Sequence, residues 1–281
     1  MDLEQTQLIE MGRELLVRTA DWKPAGVLEI KSSRMSSLAH GPIVHGLARH
    51  GLRAGSAALD LHERGLHIEA MPLSRTAWEF GVTAMWVANS REGAAAIHEE
   101  SRRLHTYLLQ GMQDLPGIDP FDVAQRVGAI YGDEQATSAK SQARRFHDRC
   151  LALGRIGEQG YTVYRAMSAY CHPSIFLVDK YLEPSDSEAG VKLRHTPVDT
   201  EARAWVYLTV MAMMWAARSF DVMTFDHPHR EYLRQFAHRL ETPVDIAQLT
   251  DEAKRAEDAA ETKRRRAKWK GRRQRGGDRG K

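Results

Sequence analysis

Residues 204–217 read AWVYLTVMAMMWAA, an apolar run broken only by Thr209 and bounded by Arg203 and Arg218. The run lacks strict alternation, glycine and proline, and it is too long for a buried strand. At fourteen residues it is also shorter than the roughly 20 that a membrane-spanning helix needs. The stretch therefore predicts the central buried helix of a helical core.

Helical periodicity extends in both directions from it. Leu8, Met11, Leu15 and Leu16 recur at helical spacing over residues 3–18, and Pro24 and Gly26 close that segment. Ser36 or Ser37 can cap a long segment running to about residue 67, rich in Ala, Leu and Gly, whose glycines imply close helix packing. Pro42 permits a late start or a kink there, and Pro72 suits the N-terminus of a second core helix over residues 73–88. Residues 92–112 alternate Ala and Leu with charged residues as an amphipathic surface helix does, until LPGIDP at 115–120 breaks them. Residues 121–153 follow as one helix or two, then 161–172, a stop at Pro173, and a short continuation to about 181. A polar loop over 183–198 and helices over 199–225 and 228–240 complete the core. Strand patterns and hairpin dipeptides are nearly absent. The fold class expected is all-α, a multi-helix bundle with Trp78, Phe80, Met85, Trp205, Leu208, Met211 and Trp215 buried together.

Charge divides the chain differently from hydropathy. The formal net charge is +3, yet residues 263–281 hold eleven Lys and Arg against one acid, Asp278, leaving 29 bases and 36 acids in residues 1–262. The expected organisation is a helical core over 1–240, then a solvated helix and a basic tail over 241–281 that frays into disorder. Lys263, Arg264, Arg265, Arg266, Lys268, Lys270, Arg272 and Arg273, with Trp269 among them, form a polyanion-binding composition. The cations neutralise phosphates with counterion release, and the indole can stack on a base. A solubilising tail, or one that folds back on the acidic body, explains the same composition.

Several function classes have no support. There is no P-loop, no GxGxxG after a strand and no GxSxG elbow, so no cofactor is expected. The histidines nowhere combine with acids or cysteines at a metal-ligand spacing, so no metal is expected either. Cys150 and Cys171 read as reduced thiols, and the acidic N-terminus has no signal-peptide pattern, which together predict a cytoplasmic location and no membrane partner.

What chemistry remains lies in Tyr161-Thr-Val-Tyr164-Arg165-Ala-Met-Ser168-Ala-Tyr-Cys-His172-Pro173-Ser174. At 100° per residue, Arg165 and His172 fall within about 20° of one another, with Ser168 between them and Tyr161 just before. Pro173 disfavours helical geometry at His172 and so sets the imidazole at a helix end, where the backbone carbonyls favour positive charge. A histidine so placed can exchange protons near neutral pH. Arg75 and Glu79, four apart on an apolar helix, make either a surface pair or a buried pair. The apolar surroundings favour the buried pair, with Arg165, Ser168 and His172 as its natural partners. Such a network can be purely structural, fixing helix register, or it can be catalytic.

Arg165 and His172 fit the R-x4–6-H signature of HEPN domains, and the chain resembles that helical superfamily. The pairing of residues 73–80 with Tyr164-x3-Ser168-x3-His172-Pro173-Ser174 also resembles a largely bacterial family of helical proteins without an established function, over about residues 40–230. The HEPN resemblance implies a homodimer that cuts RNA without metal, as in toxins and phage-defence systems. Arg165 would neutralise the phosphorane, His172 would move a proton, and Ser168 would support them. Departures are Ala166, where a polar residue commonly follows the arginine, the long spacing of six, and Pro173. The alternative is a non-catalytic helical interaction protein with a polyanion-binding tail.

Overall fold

The computed structural model describes residues 3–20, 22, 40–112, 139–185, 190–224 and 227–243. Among them the fold is all-α, with ten helices and one small hairpin. Three long helices make the centre: α2 (His40–Glu63), α3 (His67–Asn89) and α9 (Ala202–Met223), with α1 (Gln5–Ala20) laid against α9 and α2. Around them lie α4 (Gly93–Met112), α5 (Lys140–Arg144), α6 (Phe146–Ala152), α7 (Gly154–Ala169), α8 (Ile175–Val178) and α10 (Arg230–Arg239). A 3₁₀ turn, Asp179–Tyr181, leads from α8 into β1 (Leu182–Pro184), which pairs antiparallel with β2 (Val191–Leu193).

The run at 204–217 is the buried middle of α9, and Val210 and Met213, Met214, Ala216 and Ala217 have no measurable exposure. Its Trp215 ring meets Trp78 of α3 at 4.9 Å between centroids. No helix among the described residues is long and apolar enough to cross a membrane. Five of the seven expected core residues are buried. Leu208 packs only partly into the core, and Phe80 is half-buried at its edge, its ring 4.3 Å from that of His50.

Close approach of α3 to α9 depends on Gly81, where an added Cβ would stand 2.6 Å from the Ala212 carbonyl oxygen. The same helix pair buries a polar chain. Thr209 Oγ donates to Trp205 O at 2.8 Å and lies 2.9 Å from Ser74 Oγ, which in turn lies 3.4 Å from Nε2 of the buried His62. His62 Nδ1 faces His67 Nδ1 at 3.1 Å, so the geometry suits a neutral His62 that accepts from His67 and gives its own proton to Ser74.

Helix boundaries correct the sequence expectation in three places. α2 stops at Glu63 because Gly65 takes a left-handed φ of +76°, with Leu66 N donating to Leu61 O at 2.9 Å to close the turn. α3 then begins at His67, so Pro72 lies inside it rather than at its first position. Residues 154–160, three of them glycines, belong to α7 instead of preceding it. Of the solvated helix and basic tail expected over 241–281, residues 244–281 lie outside the described residues.

Candidate functional site

Two short helices and a sharp reversal build the site. α6 ends at Ala152, Gly154 turns the chain with φ +71°, and α7 runs back alongside. Gly157 permits the contact, since a Cβ there would stand 1.9 Å from the Cys150 carbonyl oxygen. α7 is pinned to α3 where Trp78 Nε1 donates to Gly160 O at 2.9 Å. Arg75 and Glu79 of α3 therefore face α7 and α6, half-buried, with 26% and 31% of their side chains exposed.

Arg75 is the hub. Its Nε donates to Ser168 Oγ at 2.9 Å, its Nη2 donates to the Tyr164 hydroxyl, and its guanidinium carbon lies 4.5 Å from the Tyr164 ring centre. Ser168 passes its own proton to Tyr164 O at 2.7 Å. Glu79 stands between two cations, 3.8 Å from Arg75 Nη2 and 3.6 Å from Arg149 Nη2. Burial pulls Arg149 below the ordinary arginine value, and the Glu79 carboxylate opposes that pull. Charge-assisted bonds of this kind are worth about 1.5–3 kcal/mol when well aligned, and less at the longer ion-pair distances here. The network ties α3, α6 and α7 together.

Arg149 is the member that the sequence reading missed. Its signal was present: Phe146, Arg149 and Cys150 fall on one face of α6, an arginine set into an apolar stripe. Aromatic rings extend the same surface, with Phe146 against Tyr164 at 4.4 Å, Tyr161 stacked on Tyr164 at 6.1 Å and His147 edge-on to Tyr161 at 4.6 Å.

Arg165 and His172 stand apart from this network. Both are exposed, and neither side chain makes a hydrogen bond or ion pair among the described residues. α7 ends at Ala169, where Tyr170 N and Cys171 N bond three residues back, to Met167 O at 3.2 Å and Ser168 O at 3.0 Å. His172 thus lies beyond the helix and does not share a helical face with Arg165. A polar clasp holds its corner instead. Ser174 Oγ donates to Ala169 O at 3.0 Å and accepts from Leu177 N at 3.3 Å, joining the end of α7 to the start of α8 across His172 and Pro173. The partners expected for Arg75 therefore divide: Ser168 is one, joined by Tyr164, whereas Arg165 and His172 face solvent.

The thiols are poor nucleophiles. Burial pushes Cys150 up to about 12, and it also raises Cys171, whose Sγ lies 3.3 Å from Met167 O. Among the described residues, no three His, Cys, Asp or Glu side chains gather closely enough to hold a metal ion. The cations of the tail from Lys263 to Arg273, and Trp269, lie outside the described residues. No protein-family model, curated protein or solved structure matches this chain.

Proposed function

We propose that this chain is a homodimeric, metal-independent endoribonuclease of the HEPN type, with Arg165 and His172 as its catalytic pair and its basic tail as an RNA tether. The observation that carries this proposal is the separation of roles on and just after α7. Tyr164 and Ser168 are engaged by Arg75, while Arg165 and His172 are left in solvent without partners among the described residues. A pair that served only to hold the core would be buried and satisfied.

The chemistry follows from these groups. His172 in its neutral form takes the proton of the RNA 2′-hydroxyl, and the 2′-oxygen attacks the adjacent phosphorus. Arg165 neutralises the charge that gathers on the phosphorane oxygens. The 5′-oxygen leaves with a proton from the imidazolium of a second copy, and the products are a 2′,3′-cyclic phosphate and a 5′-hydroxyl. Arg165→Ala and His172→Ala should each abolish cleavage of a defined RNA, with chelators leaving the wild type unaffected. Cleavage that survives either substitution, or that chelators stop, overturns the proposal.

One observation favours a second reading, a non-catalytic interaction protein whose tail holds nucleic acid or another polyanion. Ser168, the supporting member of the candidate triad, is fully occupied by Arg75 and Tyr164, as in a network that only fixes helix register. RNA binding without cleavage by the full chain would establish that reading.

A further inference from the structure

The described surface carries eleven exposed large hydrophobic residues, and six of them fall in one short excursion: Ile175, Phe176, Val178, Val191, Leu193 and Val198. Leu193 is 83% exposed and Ile175 73%. The hairpin in this excursion has its faces sorted. Leu182 stands opposite Leu193 and Pro184 opposite Val191, so these four share one face, while Glu183 and Lys192 pair on the other. Arg194 joins the charged face through Glu183 at 2.5 Å. The hairpin packs chiefly on the 3₁₀ turn before it, not on the core helices. A lone two-stranded hairpin with an uncovered apolar face is marginal in water.

We infer that this apolar surface, made by α8, the hairpin and Val198, is the one on which two copies of the chain associate. The area fits that occupant. The exposed fractions of the six residues amount to roughly 600 Å² per copy, so face-to-face pairing buries roughly 1,200 Å², the lower bound for a specific stable interface. The charge fits as well. Residues 175–198 carry Lys180, Lys192 and Arg194 against Asp179, Glu183, Asp186 and Glu188, a near balance that sets no strong like charge against itself when two copies meet. An isologous pairing across a two-fold axis would let Leu193 of each copy meet the apolar face of the other. Ile175 follows His172 by three residues, so the same seam would bring the His172 corners of both copies together. The inference rests on the dimer in the proposed function and adds to it the surface that forms it.

Sedimentation of the full chain tests this, with Leu193→Asp and Ile175→Asp as separate variants and Val17→Asp, on the exposed side of α1, as control. The wild type and the control should be dimers at tens of micromolar. Each patch variant should weaken self-association about 100-fold or more, because a carboxylate would be buried in the seam. In dilute solution, where all four are monomers, they should melt at nearly the same temperature, since these side chains lie in solvent in one copy, whereas at tens of micromolar the dimers should melt higher. A monomeric wild type, including one whose patch is covered by residues 244–281 or by another protein, overturns the inference, as does a dimer that persists in both variants. RNA cleavage in the same samples separates the two claims. A dimer broken by Leu193→Asp, with no cleavage by the wild type, leaves this surface standing and ends the ribonuclease proposal. Cleavage by a dimer indifferent to both substitutions ends this surface alone.

Discussion

Gly81→Ala tests how the core is built. In an ordinary helix the change is favourable by roughly 1 kcal/mol, because alanine loses less backbone entropy than glycine. Here the new methyl carbon would stand 2.6 Å from Ala212 O, 3.4 Å from its carbonyl carbon and 3.6 Å from its Cα. The obstacle is backbone of a buried helix, so no side chain can swing aside, and α3 must move away from α9. Overpacking of this kind costs about 1–3 kcal/mol, and a rigid obstacle belongs at the upper end. The expected net loss is about 2 kcal/mol. Gly46→Ala is the matched control, an exposed α2 position with nothing within 4 Å of the added carbon. It should gain up to roughly 1 kcal/mol. Urea unfolding of the three proteins gives both numbers from their midpoints. A Gly81→Ala midpoint equal to or above that of the wild type would refute the close approach of the two helices.

Three further outcomes are expected. Burial, with the charge of His67 second, holds His62 down at about 4 against the ordinary 6.5. The unfolded chain therefore binds the extra proton between those values, and stability is lost as pH falls from 6.5 toward 4, by about 3 kcal/mol if the whole gap is expressed. Urea midpoints that do not fall with pH in that window, or that fall equally in His62→Asn, would count against it. Arg75→Met and Ser168→Ala should couple by about 1 kcal/mol in a double-mutant cycle, and strict additivity would mean that their 2.9 Å bond contributes nothing. Deleting residues 263–281 should weaken RNA binding and flatten its salt dependence, since eleven cations leave with them. An unchanged salt slope would place RNA binding elsewhere.

Fold class was legible because the decisive patterns were long. The apolar run at 204–217 and the dense Ala, Trp and Met of 73–88 allowed only buried helices, and α9 and α3 are those helices. Boundaries were harder, since they turn on single residues. Pro72 looked like a helix start, yet α3 tolerates it five residues past His67, where it forgoes one backbone bond within a well-packed element. Residues 154–160, with Gly154, Gly157 and Gly160, fell between two expected helices, but only Gly154 turns the chain. Gly157 lets α7 touch the α6 backbone, and Gly160 lies beside the Trp78 ring. The polar residues were found with only part of their pairing, since Arg75 meets Glu79 and Ser168 as expected but neither Arg165 nor His172. Helical projection extended α7 through His172, whereas the residue before a proline is pushed out of helical geometry, and the helix ends three residues earlier. Arg149 escaped notice because its partner Glu79 lies seventy residues away, a separation that no local pattern reports. The apolar excursion around Leu193 was read as a polar loop, since three-residue strands leave almost no periodicity.

His172→Ala, measured for stability and for RNA cleavage in the same preparation, tests the functional proposal most directly. His172 is exposed and unpartnered among the described residues, so the variant should unfold within about 0.5 kcal/mol of the wild type. If the imidazole is the proton carrier, that same variant should lose cleavage altogether, with no 2′,3′-cyclic phosphate ends formed. Loss of several kcal/mol of stability would make His172 a structural residue, and full cleavage by a stable variant would remove it from the chemistry.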